Sequence, residues 1–288
     1  MNVANDALTK VSPATAAARA NFNELMVSGY PKSFEEQFQK FETSAARPIS
    51  DILSSQTLSF LSIRQRASIS RFVAAQAIRT DAYRLGLRAR RKQYDVGAAL
   101  DTQLSDIELL ANFIRRRKWA LMVTSSDKPF YLGDNPVVLQ DTEHPGRAGE
   151  LGLDMDGVEV FMPLSPMCAL YMLCPSIGGD IEDGYLDALR IVTANLGGIA
   201  IAKFDVEKAL PIAQRTLESA GPLYRAITSG AALNVDADNV ENLNYLQCAW
   251  ASSGVFSNNS DFTFAKRVFR ENPQYRSVLP VTLYRTSG

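Results

Sequence analysis

Histidine is nearly missing from this chain: its 288 residues hold one, His144, in the polar stretch DTEHPGRAGE. A His-based catalytic triad, a two-His metal site and a His/Cys zinc site all need more. Cysteine is scarce too. Cys168, Cys174 and Cys248 form no CxxC. Cys168 and Cys174 fall in one strand-like run, about 20 Å apart by strand rise, too far to bridge. An odd count without metal spacing reads as a reducing, cytoplasmic chain. No stretch approaches the roughly 18 apolar residues of a membrane span, and residues 1–20 lack the continuous apolar run of a secretory signal. Charge of one sign is lacking as well: the net charge of -1 argues against a global field for nucleic acid or membrane. Chemistry in such a chain must rest on carboxylates, amides, hydroxyls, Arg and Lys.

What is present suffices for a core, with 46% hydrophobic and 21% charged residues. Residues 1–32 lack a clear period and read as loosely ordered. From Ser33 the pattern is helical. Ser33 and Glu36 match a capping box, Phe34, Phe38 and Phe41 make one stripe, and Pro48 marks an end or a kink. A second helix is expected from Ser62 to Arg91, with Ser62 and Gln65 as its capping box and Ile69, Val73, Tyr83 and Leu87 facing inward. Gln76 and Thr80 fall on that face and Arg79 at its edge. A third helix is expected from Asp101 or Thr102 to Lys118, ending in the basic run Arg115–Lys118, which suits a helix C-terminus.

Then the texture changes to short strands: WALMVTS, FYL, VVLQ, VEVFMPL and CALYMLC, with Pro163 and Pro166 suiting an edge or corner. Between FYL and VVLQ sits a polar knot, Gly133-Asp134-Asn135-Pro136. Helices follow from about Asp183 to Asn195, from Asp236 or Asp238 to Ser253, and from Ser260 or Asp261 to Arg270. The region from about 176 to 235 reads as variable, with a candidate strand GGIAIAKF and a short helix over Pro211–Ser219. The expected fold is one α+β domain over 33–288: a helical N-terminal half packed on a small, mostly antiparallel sheet, with C-terminal helices.

The motif order FEEQFQKFE, ISRFVAAQAIRTDAYR, WALMVTSSDKPFYLGDNPVVL, VEVFMPLSPMCALYML and VENLNYLQCAWASSGVFS resembles the bacterial family catalogued as domain of unknown function 4238. The likeness covers about 34–175 and 238–275. Two features depart from it: the family's N-terminal H-x-x-P segment is not found in residues 1–33, and Gly133 stands where Ser or Thr is usual. The resemblance implies no established reaction.

Four constellations are candidates for chemistry. Glu35 and Glu42 lie on one side of their helix, about 10 Å apart by rise; paired carboxylates bind a divalent cation or work as acid and base, and equally form a solvated face or pair with Arg. Arg79, one turn from Gln76, can grip a carboxylate or phosphate, or tie two helices together. Asp134 is placed as a metal ligand or general base at a strand end, with Asn135 orienting; it can also accept backbone N–H bonds and fix the turn. Asn244 and Gln247 repeat the amide theme on the late helix, as substrate contacts or as partners of buried backbone.

These residues support two readings. In one, Asp134, Glu35 and Glu42 hold a divalent cation such as Mg, with Gln76, Arg79, Asn135, Asn244 and Gln247 as substrate contacts, for hydrolysis of a phosphate ester or nucleic acid. In the other, the same residues are internal struts of a non-catalytic binding or protein-interaction module. A third, nucleic-acid binding without catalysis, would use Arg84, Arg88, Arg90, Arg91 and Arg115–Arg117.

Overall fold

The computed structural model describes residues 1–12, 22–90, 95–125, 127–142, 151–197, 206–277 and 283. Residues 22–32, part of the segment 1–32 that reads as loosely ordered, are structured together with Ser33. They form a hairpin of β1 (Glu24–Val27) and β2 (Tyr30–Ser33). Its turn places Ser28 and Gly29 at φ of 50° and 87°, the left-handed geometry that matches strand twist in a two-residue hairpin. The hairpin is anchored by Asp95, whose carboxylate accepts from Ser28 N at 2.7 Å and from Ala98 N at 2.9 Å.

The first helix, α1 (Glu35–Ser55), does not end at Pro48 but continues past it. Phe34, not Ser33, is its N-cap, without a side-chain cap bond. The expected second helix is two. α2 (Ile63–Ile78) carries the Ser62/Gln65 capping box, and α3 (Asp81–Arg90) restarts after Thr80. The reason is local: the Thr80 hydroxyl accepts from Tyr83 N at 3.2 Å, as a helix N-cap does. The expected third helix also splits, into α4 (Val96–Ser105), capped by Asp95, and α5 (Ile107–Arg115). Asp101 and Thr102 therefore lie inside α4. The inner face of α5 is Ile107, Leu110, Ala111 and Ile114, as the spacing predicts.

Next come β3 (Lys118–Val123), β4 (Leu132–Gly133), β5 (Val138–Asp141), β6 (Val158–Ser165) and β7 (Cys168–Leu173). α6 (Pro175–Leu196) begins earlier than its expected start, with Pro175 in the first turn where the missing N–H costs nothing. α7 (Val206–Ser229) encloses both Pro211 and Pro222. The expected strand GGIAIAKF lies, but for Gly197, outside the described residues. β8 (Ala232–Asn234), α8 (Ala237–Trp250), β9 (Val255–Phe256) and α9 (Thr263–Glu271) complete the order.

Five strands make the main sheet in the order β5-β6-β7-β3-β8, antiparallel except for β3 with β8. β6 is interior to it. It tolerates Pro163 because the register shifts between Pro163 and Ser165. The strand alternation then sorts the core. Trp119, Leu121, Leu139, Val160 and Leu170 face the α1–α5 side and join Phe38, Ile69 and Ile114. Met122, Val138, Phe161 and Ala169 face α8, against Val240, Leu243 and Leu246. A third cluster joins Met1 and Val3 to Tyr131, Cys248, Val255 and Phe269, beneath α9. The fold is α+β. Among the described residues, no helix is long and apolar enough to cross a membrane.

Two glycines test this packing. A Cβ on Gly97 would lie 2.0 Å from the carbonyl oxygen of Met26, so Gly97→Ala must push the β1–β2 hairpin off α4. Gly184, inside α6, has nothing within 4 Å of an added Cβ. Thermal melts should show Gly97→Ala destabilised and Gly184→Ala stabilised by about 0.5–1 kcal/mol.

Candidate functional site

The polar knot sits between β4 and β5, in a segment that the main sheet does not pair. Its backbone groups need partners, and α8 supplies them. Asn244 Oδ1 accepts from Tyr131 N at 2.6 Å, and its Nδ2 donates to Pro129 O at 3.0 Å. One turn on, Gln247 Oε1 accepts from Gly133 N at 2.7 Å, and its Nε2 donates to Pro136 O at 3.1 Å. Both amides are buried. Each offers one donor and one acceptor, as a neighbouring strand would.

Gly133 is held close: a Cβ there would lie 3.0 Å from Gln247 O and 3.2 Å from its Oε1. The missing hydroxyl at this position therefore coincides with a tight backbone approach to α8.

Asp134 continues the arrangement outward. Its Oδ1 accepts from Ser252 N at 2.8 Å; its Oδ2 accepts from Ser253 N at 2.9 Å and from the Ser253 hydroxyl at 2.5 Å. Its own N–H donates to Gly254 O at 3.0 Å, extending the β4–β9 pairing. Asp134 thus fixes a turn, but the turn is the one after α8, not its own. Asn135 is 2% exposed, and among the described residues its Nδ2 has no hydrogen-bond partner.

The α1 and α2 candidates make a second, separate group. The Arg79 guanidinium donates to Glu42, tying α2 to α1. Glu35 accepts from Asn23 Nδ2 at 2.6 Å. Gln76 is buried on α2. No hydrogen bond or ion pair among the described residues links this group to Asp134. Nor, among those residues, does any group of three His, Cys, Asp or Glu side chains come together that could hold a metal ion. Glu35, Glu42 and Asp134 are all described, so the expected three-carboxylate centre is not assembled.

The family described as "Protein of unknown function (DUF4238)" matches residues 2–103 and 93–261. The chain belongs to this family. No curated protein and no solved structure matches it. The stretch matched to DUF4238 takes in both groups, from Glu35 and Glu42 to Gln247 and the Ser252–Ser253 turn.

Other polar residues of this DUF4238 chain escaped sequence reasoning. Glu159, 4% exposed on β6, accepts from the Tyr171 hydroxyl, with Arg117 and Asp141 as charged neighbours. Burial holds its pKa above the usual carboxylate range, and the Tyr171 bond opposes that shift. The only advance signal was a Glu inside an apolar strand. Arg117 donates to the carbonyls of Val158 and Leu153, and burial lowers its pKa to about 10. Of the seven arginines expected to face nucleic acid, two are used inside the fold. Arg84 and Arg117 are buried, Arg115 bonds Asn112, and Lys118 pairs with Glu182 at 2.8 Å. Arg88 and Arg116 are exposed. Arg91 and His144 lie outside the described residues, as does the side chain of Arg90.

Two measurements check these assignments. Asn244→Ala leaves a buried N–H and C=O without partners and should cost about 2–3 kcal/mol in denaturant unfolding. Glu159 has a raised folded-state pKa, so its favourable contribution is complete below the ordinary Glu value and is lost as pH rises through the raised one. Glu159→Gln should therefore gain stability relative to the native chain as pH rises from about 4 to 7; a gap that does not vary with pH would refute this.

Proposed function

We propose that this protein is a non-catalytic binding or protein-interaction module of the cytoplasm, in which the candidate site residues hold the fold. The observation that carries this reading is the engagement of Asp134. Both oxygens of its carboxylate accept bonds from the Ser252–Ser253 turn. A carboxylate so placed has three of its about four lone-pair sites directed at N–H and O–H groups, not at a cation. Glu42 is engaged more loosely, by one contact with Arg79. Three unpaired, buried cysteines agree with a reducing compartment. A protein partner is favoured over nucleic acid because Arg84, Arg117 and Lys118 serve the fold itself.

The melting temperatures of single variants test the reading. Asp134→Ala should cost about 2–3 kcal/mol, because two backbone N–H groups lose a charged acceptor. Arg79→Ala should cost less, about 0–1 kcal/mol, since the Glu42 pair is partly exposed. An Asp134→Ala chain that melts with the native protein would remove the structural role and restore Asp134 as a reactive group.

A further inference from the structure

α6 and α7 pack on each other as a hairpin, with Tyr185 stacked on Tyr224 at 4.0 Å between ring centres. The outer side of α6 is left to solvent. Ala188 is the single buried apolar side chain of this helix. Leu186, Leu189 and Leu196 are 36%, 42% and 81% exposed. With Thr193 they follow a 3-4-3 spacing, which places them in one row along the helix. Scattered exposed leucines are ordinary on protein surfaces; an aligned row on one helix is the arrangement of a helix-pairing seam.

Asp183 flanks this row one turn before Leu186, and Asp180 and Asp187 lie further round the helix; all three are exposed. Arg190 donates back to Asp187 at 2.7 Å. Among the described residues, Asp180 and Asp183 have no cation of their own. The strip is therefore a leucine row whose N-terminal end is acidic.

We propose that this strip docks a basic amphipathic helix of a partner protein. Leucines of α6 would meet the partner's apolar face, and Asp180 and Asp183 would meet Lys or Arg on its flank. A second copy of this chain fits less well, because it would bring the same acidic end to the seam. The inference rests on the binding-module reading and gives its partner a chemistry.

The test titrates the full chain with labelled synthetic helical peptides, read by fluorescence anisotropy. One peptide carries leucines at 3-4 spacing flanked by lysines; the other has glutamates in place of the lysines. The lysine peptide should bind. Its affinity should fall at least about tenfold for Leu186→Ser/Leu189→Ser, and several-fold for Asp180→Asn/Asp183→Asn or on raising salt. The glutamate peptide should not bind. The proposal is overturned if the native chain ignores the lysine peptide, if the serine variant binds it equally, or if both peptides bind alike. A dimer in sedimentation that the serine variant dissolves would assign the strip to a second copy and overturn it too. These side chains are exposed, so the variants should melt with the native protein. The Asp134 melts decide the module reading separately: a failed peptide titration leaves them unchanged, and an Asp134→Ala chain of native stability removes that reading whatever the peptides do.

Discussion

The bonds from Asn244 and Gln247 to the backbone of residues 129–136 are the constraint on which the centre of the molecule depends. This segment is buried but unpaired by the main sheet, and buried N–H and C=O groups without partners are expensive. Two amides one helical turn apart solve this from a single face of α8. The consequence reaches all three core clusters. Tyr131 enters the cluster beneath α9, Phe130 and Val138 enter the one under α8, and Val137 enters the one facing α1–α5. A slip of this segment against α8 would misplace side chains in each.

Charge is used in the same way, to close the fold. Asp134 holds the turn after α8. Arg117 bonds the carbonyls of Leu153 and Val158, and Arg84 donates to Phe22 O at 2.6 Å. Arg66 donates to Arg117 O at 2.6 Å and lies over the Trp119 ring. Guanidinium groups suit this work because their planar fork satisfies several acceptors at once. A chain with little net charge and one histidine can thus be rich in ionisable groups that serve its own fold.

The α+β class, four of the five main-sheet strands, the α5 face and the Ser62/Gln65 cap were legible, because alternation, apolar periodicity and capping are local properties. Helix breaks were less so. Thr80 sits on the buried stripe of an apparently continuous helix, and only its hydroxyl bond to Tyr83 N shows that it starts a new one. Asp134 was legible as a turn-fixing carboxylate but not in what it fixes, since Ser252 and Ser253 are more than a hundred positions away. Asn244 and Gln247 could be marked as amides that need buried partners, yet those partners are backbone groups, which carry no residue signature. Glu159 was missed because one charge in an apolar strand does not perturb the pattern.

The α6–α7 hairpin differs from all of this in kind. On α1, α2 and α5 the apolar stripes find a core: Phe34 and Phe38 are buried, as are Ile69, Val73 and Ile114, while Ile63 and Leu109 are exposed singly. On α6 the same spacing yields leucines that face solvent. Core packing accounts for the first set and leaves the second without a cause inside the chain. Exposed leucine beside aspartate is costly to display and gains nothing for the helix itself, whose own exposed Gly184 already weakens it. The body of the protein spends its polar groups on its own backbone, whereas this arm leaves apolar and acidic groups free at its surface. A fold that closes so many of its internal valences and leaves one helix face open has a face that is best explained by what lies against it.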